Sequence, residues 1–265
     1  MTGVREGEPT PLEVSVSEAG QGRPLVILHG LFGSKRNWST VAHRLAATHR
    51  VIAVDLRNHG ESPWQGRHDY PALAADVAAV IERRAGGAAA VLGHSMGGKA
   101  AMVLALSRPD LVERLIVVDI APVRSTATPI EYVRAMRALP LERFTQRLDV
   151  KEALAPVIPD PLVRGFLALN LVSGPAGLSW AVNLEAIEAN FPTILGFPEV
   201  AADCRFTKPT LFLAGGRSDY VRPEHEPEIR RLFPAARIEV IEGAGHWLHA
   251  DAPEAFVAAV GRFLA

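Results

Sequence analysis

The sequence has few features that would tie the chain to a membrane, to nucleic acid or to an oxidising compartment. Cys204 is the single cysteine among 265 residues, which excludes an intrachain disulfide and favours a reducing compartment. No uncharged apolar run reaches the roughly 18 residues that a membrane-spanning helix needs. The formal net charge of −1 gives no strong attraction to nucleic acid or anionic lipid, so we expect neither as a partner.

The N-terminal segment is also poor in apolar residues. Its sequence, MTGVREGEPTPLEV, lacks the apolar region of a secretory signal, and we therefore expect a cytoplasmic protein. In other respects the composition is ordinary, with 48% hydrophobic and 22% charged residues. A chain of this length can bury a sizeable core without disulfides.

What the sequence does contain is a series of short, apolar, β-branched runs separated by helical patterns. Such runs, when bounded by turn signals, are typical of parallel strands buried on both faces. The runs are PLVILHG, RVIAVDLR, AAAVLGHS, RLIVVDIAP, PTLFLAGG and ARIEVIEG. Between two of them, Leu73, Val77 and Ile81 repeat on one helical face. The alternation predicts an α/β fold with a doubly wound, mostly parallel sheet, and the period-two segment LEVSVSEAG predicts an antiparallel edge strand.

One interval interrupts this alternation. From about Pro122 to Arg205 there is no clear core strand, and helical stretches such as PIEYVRAMRAL, PLVRGFLALNLV and SWAVNLEAIEANF are punctuated by prolines. We expect this interval to form a helical insertion over the C-terminal edge of the sheet. The predicted domains are a core of residues 1–121 and 206–265 and a helical cap of residues 122–205.

The stretch VLGHSMGGKA places a serine between glycines directly after an apolar run. Gly93, Ser95 and Gly97 form the pattern G-x-S-x-G between a predicted strand and a predicted helix. Small residues at both glycine positions allow a sharp strand-to-helix turn that projects the serine hydroxyl above the sheet. Ser95 is therefore the candidate nucleophile, and the backbone N–H of Met96 at the helix N-terminus would face developing negative charge.

A serine nucleophile also needs a second oxyanion donor and a base. The loop LHGLFGS follows an earlier strand, and the Leu31 N–H is the preferred donor there, with Phe32 as the alternative. His246, in EGAGHWLHADAP after the last strand, is the expected general base. His249 lies three residues further on, but without a third ligand cluster the pair predicts no metal site. Histidines 29 and 94 are expected to be structural.

The acid that orients His246 has two candidates. Asp119 follows the strand after the serine helix, and Asp219 follows the penultimate strand. Both satisfy the chain order serine, aspartate, histidine. The chain order alone does not decide between Asp119 and Asp219.

Taken together, several motifs resemble those of the α/β-hydrolase fold family, and more narrowly a group of small bacterial serine carboxylesterases with mitochondrial relatives. The motifs are LHGLFGSKRNW, VDLRNHGESP, GHSMGGKAAM, VVDIAPV, NFPTILGFP and GAGHWLHADAP. The resemblance runs from about Leu25 to the C-terminus. It implies carboxylesterase activity with Ser95 as nucleophile and His246 as base, no cofactor, and a helical cap.

One position departs from the family pattern. After the penultimate strand, members with G-x-x-D-x-x-V place the acid where this sequence has Ser218, so Asp219 stands one residue late. In some hydrolases of this fold the acid instead follows the strand after the nucleophile helix, which corresponds to Asp119. We therefore favour Asp119 as the acid, with Asp219 as the alternative.

The substrate is less sharply defined by the sequence. We expect short- to medium-chain acyl esters, with Phe32 and Trp38 either lining the acyl pocket or packing in the core. An acyl-CoA or other thioesterase, a carbon–carbon bond hydrolase and a non-catalytic ligand-binding module are the alternatives, because fold and triad do not fix the substrate. Four basic residues near the inferred mouth could steer an anionic substrate or be ordinary surface charge: Lys35, Arg36, Arg57 and Lys99. The oligomeric state is not predicted.

Overall fold

A computed structural model describes residues 9–125, 130–175 and 177–265. The strands in chain order are β1 (Val16–Ala19), β2 (Pro24–Leu28), β3 (Arg50–Val54), β4 (Ala89–His94), β5 (Val112–Val118), β6 (Leu171–Gly174), β7 (Gly177–Trp180), β8 (Thr210–Gly215) and β9 (Ala236–Ile241). The α-helices in chain order are α1 (Ser39–Leu45), α2 (Tyr70–Arg84), α3 (Met96–Ser107), α4 (Ile130–Ala138), α5 (Arg147–Ala153), α6 (Pro161–Leu167), α7 (Leu184–Ala189), α8 (Phe191–Leu195), α9 (Glu226–Leu232), α10 (Leu248–Asp251) and α11 (Pro253–Leu264).

The main sheet has seven strands in the order β1-β3-β2-β4-β5-β8-β9. All neighbouring pairs are parallel except β1 with β3, which is antiparallel at the edge. The doubly wound, mostly parallel sheet predicted from the apolar runs is therefore confirmed. The middle strands are buried because helices cover both faces of the sheet, as parallel sheets require.

Two hydrophobic cores lie on the two faces of this sheet. Helices α2 and α3 pack on one face and α1 and α11 on the other. Helix α2 begins where the Asp69 carboxylate accepts a hydrogen bond of 2.8 Å from the Ala72 N–H. Helix α3 is rich in alanine and glycine and is buried nearly all round, because it fits between α2 and the sheet. Its close packing fixes the position of the serine at its N-terminus.

The chain between β5 and β8 holds helices α4 to α8 and a small antiparallel hairpin of β6 and β7. This hairpin corrects the expectation of continuous helix through PLVRGFLALNLV, because α6 ends at Leu167 and a strand begins at Leu171. The glycines at the turn explain the difference, since Gly177 has a φ of +103°, which favours glycine. The hairpin is a separate two-stranded sheet and does not join the core sheet.

Polar contacts join this insertion to the core. The Asn170 side chain donates to the Phe32 carbonyl oxygen at 2.8 Å, and the Asn183 N–H donates to the Asn58 carbonyl oxygen at 2.9 Å. These bonds hold the insertion above the carboxyl ends of the central strands. Within the described ranges, no helix is both long and apolar enough to cross a lipid bilayer.

Candidate active site

Ser95 lies in a strained turn between β4 and α3. Its φ is +53°, a region that costs a non-glycine residue about 1–3 kcal/mol. A Cβ atom at Gly93 would lie 2.2 Å from the Gly97 carbonyl oxygen, and one at Gly97 would lie 2.4 Å from the His29 carbonyl oxygen. Only glycine fits at both positions. The G-x-S-x-G pattern is therefore a packing requirement of a turn that lifts the serine side chain above the sheet.

His246 connects Ser95 to Asp119. The His246 Nε2 atom lies 3.1 Å from Ser95 Oγ, and His246 Nδ1 lies 2.7 Å from Asp119 Oδ2. The Asp119 side chain is fully buried, whereas the His246 side chain is 24% exposed. The structure thus brings the three side chains into one chain of hydrogen bonds that ends at the serine hydroxyl.

Asp119 is held by several donors. It follows β5 with a φ of +51°, and its N–H donates to the Leu213 carbonyl oxygen at 2.8 Å. The Gly215 N–H donates to Asp119 Oδ1 at 2.9 Å, and the Ser218 hydroxyl donates to Oδ2. A buried carboxylate needs such donors to replace the water that it has lost. Ser218, which occupies the acid position of the usual pattern, thus donates to the candidate acid Asp119 that follows β5.

Asp219 takes no part in this chain. It is exposed and lines a separate small cavity beside Arg222 and His225. Among the described residues, no hydrogen bond joins Asp219 to His246. The one-residue offset noted in the sequence therefore places this carboxylate away from the histidine.

Two backbone N–H groups remain without acceptors above the sheet. Neither the Leu31 N–H nor the Met96 N–H donates to any acceptor in the part of the chain that the structure describes. Met96 opens α3, where the helix dipole favours negative charge. The Phe32 N–H, the alternative donor, is already bound to His59 Nε2 at 3.3 Å. Leu31 and Met96 are thus the free pair that an oxyanion could use.

Three buried histidines contact the segments that carry these two N–H groups. His29 donates through Nδ1 to the Gly30 carbonyl oxygen at 2.8 Å, and its Nε2 accepts from the Leu56 N–H at 3.0 Å. His68 contacts Met96 Sδ through Nε2 at 3.4 Å. Burial lowers the pKa of His29 and of His59, and it lowers the pKa of His68 to about 3. The three rings are therefore neutral, hydrogen-bonded supports rather than bases.

Two more histidines pack beside the candidate base. His94 donates from Nε2 to the His246 carbonyl oxygen at 2.8 Å. This bond joins the loop that carries His246 to the turn that carries Ser95. The His249 ring stacks on Trp38 at 4.3 Å, and burial lowers the pKa of His249 to about 4. Among the residues that the structure describes, no group of three or more histidine, cysteine, aspartate or glutamate side chains could hold a metal ion.

A cavity of about 480 Å³ opens onto Ser95 and His246. Its walls are mostly apolar and come from the loop after β2, the insertion, and the loops after β8 and β9: Leu31, Phe32, Tyr132, Leu162, Val163, Phe166, Leu167, Tyr220 and Trp247. Phe32 therefore lies where the sequence analysis expected it. Trp38 does not line this cavity, which corrects its assignment to the acyl pocket. It is 1% exposed and packs in the core under His249 and Phe256.

The basic residues considered for steering do not line this cavity either. Three of them form ion pairs, Lys35 with Asp55, Arg36 with Glu61, and Arg57 with Asp76. Lys99 is buried and donates to the carbonyl oxygens of Leu195 and Gly196, at 2.8 and 2.7 Å. These contacts favour structural roles for the four residues over the alternative that they steer an anionic substrate. Arg217 does line the cavity, and this position was not predicted from the sequence.

Two aromatic residues that line the cavity were not predicted from the sequence. Tyr220 stacks on the His246 ring at 4.0 Å, and Trp247 contacts Phe166 of α6 at 5.0 Å between ring centroids. Their nearness in sequence to Ser218 and His246 was the available signal.

The chain matches the model of the alpha/beta hydrolase fold family over residues 23–253 and belongs to that family. It is 40% identical to the sn-1-specific diacylglycerol lipase ABHD11 of Mus musculus, with 97% of this chain and 86% of the relative covered. It is 35% identical to the esterase YbfF of Escherichia coli (strain K12), covering 91% of this chain and 92% of the relative. The solved structure of a marine microorganism esterase superposes with a TM-score of 0.91 at 35% identity, covering 95% of this chain and 99% of that chain.

Proposed function

We propose that Ser95, His246 and Asp119 are the catalytic triad through which this chain hydrolyses carboxylic esters. The chain is an ester-cleaving serine hydrolase of the carboxylesterase type. The observation that carries the triad is the pair of hydrogen bonds from His246, at 3.1 Å to Ser95 Oγ and at 2.7 Å to Asp119 Oδ2. This geometry supports one base that faces the serine and is oriented by a buried acid.

In the proposed reaction, Ser95 Oγ attacks the ester carbonyl carbon while His246 Nε2 takes the hydroxyl proton. The imidazolium that forms is stabilised by the Asp119 carboxylate, which also holds the proton on Nδ1. The proton then passes to the leaving alcohol as the tetrahedral intermediate collapses to an acyl-enzyme. Water, deprotonated by His246, hydrolyses the acyl-enzyme and releases the acid.

We assign the oxyanion hole to the N–H groups of Leu31 and Met96. The negative charge on the carbonyl oxygen grows in both tetrahedral intermediates, and fixed donors stabilise it without reorganisation. Neither group has another acceptor within the described residues, which supports this assignment. The Phe32 N–H is the weaker alternative because it already donates to His59.

The apolar cavity of about 480 Å³ suits the acyl part of a small ester, since small-molecule pockets span roughly 300–1,000 Å³. We propose short- to medium-chain acyl esters as substrates, with residues 122–205 acting as the cap that shapes the acyl pocket. Phe32, Phe166 and Trp247 would contact the acyl chain. The lipase name of one relative makes a diacylglycerol a further substrate to assay.

Thioesterase, carbon–carbon hydrolase and binding-module functions are not favoured, because the two relatives and the solved structure compared above carry lipase and esterase names. The proposed chemistry uses no cofactor, and a small-molecule ester is the proposed partner, without nucleic acid or membrane. A cytoplasmic location remains part of this proposal, supported by the single cysteine.

The test is hydrolysis of p-nitrophenyl esters from acetate to laurate by the wild type and by Ser95→Ala. We expect the variant to lose activity by about 10⁴-fold or more, as serine hydrolases do without their nucleophile. A fluorophosphonate should label Ser95 in the wild type and leave the variant unlabelled. Equal turnover by the two proteins would overturn the proposed mechanism.

A further inference from the structure

The ring of Tyr220 lies flat against the imidazole of His246. The ring centroids are 4.0 Å apart and the two planes differ by 18°. Tyr220 follows Ser218 by two residues, and its N–H reaches the Ser218 hydroxyl oxygen at 3.4 Å. One loop after β8 therefore contacts both partners of the proposed triad, Asp119 through the Ser218 hydroxyl and His246 through an aromatic face.

The two hydrogen bonds of His246 leave part of its motion unrestrained. Bonds at Nδ1 and Nε2 both lie in the ring plane, so they resist tilting of the plane only weakly. An aromatic ring stacked on the imidazole restrains that tilt directly. His94 adds a second ring at 4.7 Å, but its plane is inclined by 45° and it cannot play the same part.

The stacked ring also suits the charge that His246 would carry during the reaction. The face of an aromatic ring is electron-rich and attracts a cation, more strongly where water is excluded. The His246 side chain is 24% exposed, so its neighbours leave part of it in contact with water. The Tyr220 ring shields one face of the imidazole while it becomes an imidazolium.

We propose that Tyr220 is a positioning residue that holds the His246 ring in plane with Ser95 and Asp119 and stabilises its charged form. This inference rests on the proposed function, because it gives Tyr220 a role in the same triad. The aromatic ring performs the role, and the phenol hydroxyl is not required for it.

The test compares Tyr220→Phe, which keeps the ring, with Tyr220→Leu, which keeps an apolar side chain without a ring. With p-nitrophenyl acetate we expect kcat of Tyr220→Phe to stay within about 3-fold of the wild type and kcat of Tyr220→Leu to fall by about 10-fold or more. KM should change less than kcat, because the acetyl group is small. Equal kcat values for Tyr220→Leu and the wild type would contradict the proposal.

Tyr132 offers a matched control. It lines the same cavity, and among the described residues no ring contact joins it to His246. Tyr132→Leu therefore removes an equal ring from the cavity without removing the stack. We expect Tyr132→Leu to raise KM for longer esters. If it also lowered kcat for the acetate as much as Tyr220→Leu does, the loss of kcat would follow from removing any aromatic side chain of the cavity, and the proposal for Tyr220 would be wrong.

A spectroscopic measurement separates this proposal from the proposed function. The proton between His246 Nδ1 and Asp119 should give a low-field NMR resonance, assigned by its loss in His246→Gln, that stays sharp in Tyr220→Phe and broadens in Tyr220→Leu. In the wild type, the stacked ring should also shift the carbon-bound protons of His246 upfield, a measurement that needs no variant. An unshifted His246 or an unchanged resonance in Tyr220→Leu would overturn the Tyr220 proposal and leave the proposed function standing. Full activity of Ser95→Ala would instead overturn the proposed function, and with it the catalytic role of Tyr220, whatever the NMR measurements show.

Discussion

Ser218 Oγ donates a hydrogen bond to Asp119 Oδ2, the same oxygen that faces His246 Nδ1. The serine stands where the family pattern places the acid, and the acid stands at the end of the neighbouring strand. In this chain the carboxylate therefore follows β5, and the position after β8 supplies a hydroxyl that donates to it. This relationship supports Asp119 as the acid and makes Ser218 a hydrogen-bond donor to its carboxylate.

The choice between the two aspartates can be tested with isosteric variants. Asp119→Asn should lower kcat/KM for p-nitrophenyl esters by about 10³-fold or more, because the amide cannot stabilise the imidazolium and favours the wrong histidine tautomer. Asp219→Asn should stay within about 2-fold, since an exposed side chain without a bond to His246 contributes little. Steady-state kinetics measures kcat/KM of both variants. A large loss in Asp219→Asn with little loss in Asp119→Asn would make Asp219 the acid.

Loss of the Ser218 hydroxyl should have a smaller effect. Ser218→Ala removes one of the donors to the buried carboxylate, and a hydrogen bond to a charged group contributes about 1.5–3 kcal/mol. We expect kcat/KM to fall by about 10-fold, with Gly215 and His246 still bound to Asp119. Ser107→Ala is the matched control, because that hydroxyl donates to Val103 on the far end of α3. A loss equal to that of Asp119→Asn would show that Ser218 does more than support the acid.

Much of the fold could be predicted because its signals are local. The strand β4 is a short apolar run, and Gly93 is required by contacts with Gly97 and Gly98 in the same turn. Even the preference for Asp119 came from a local observation, the one-residue offset at Ser218. Local sequence reports such features well because chain neighbours determine them.

What could not be predicted depends on contacts between distant parts of the chain. Lys99 looks like a free cation in the sequence, but it bonds to carbonyl groups 96 and 97 residues away. Trp38 looks like a pocket residue, but the fold places it under His249. The sequence places Tyr220 two residues after Ser218, but it does not show that the Tyr220 ring stacks on His246. The composition of a segment does not specify which distant segment will cover it.

The corrected position of Trp38 leads to a stability prediction. Trp38→Ala should lower the free energy of unfolding by about 3–5 kcal/mol, as large aromatic deletions in cores do. Because Trp38 is 1% exposed and does not line the cavity, the order of preference among acyl chain lengths should not change. Urea unfolding and a series of p-nitrophenyl esters measure the two quantities. A shifted chain-length preference with unchanged stability would return Trp38 to the acyl pocket.

The acyl-chain preference should instead respond at Phe166. Its ring lines the cavity and contacts Trp247, the neighbour of His246. Phe166→Ala enlarges the cavity, so the ratio of kcat/KM for laurate to that for butyrate should rise by about 5-fold or more, since one methylene changes binding by about 10-fold or more. Leu169→Ala is the control, because Leu169 is 57% exposed and does not line the cavity. An equal rise in both variants would assign the effect to general loosening of the insertion.

Lys99 joins the serine helix to the insertion and should make stability depend on pH. Lys99 is 1% exposed, and burial lowers its pKa to about 7 in the folded protein. The unfolded chain keeps this lysine protonated up to about pH 10.4. Between these two values the unfolded state binds more protons, so the free energy of unfolding contributed by Lys99 rises with pH, by at most about 1.4 kcal/mol per unit.

Lys99→Met removes this dependence while filling much of the same space. We expect the difference in unfolding free energy, wild type minus Lys99→Met, to increase by about 2 kcal/mol from pH 7 to pH 9 in urea titrations. Lys208→Met serves as the comparison, because Lys208 also donates to two carbonyl oxygens, those of Pro109 and Val112, and its loss measures the general effect of removing such a lysine. A difference that stays constant or decreases over this range would mean that Lys99 remains protonated in the folded protein.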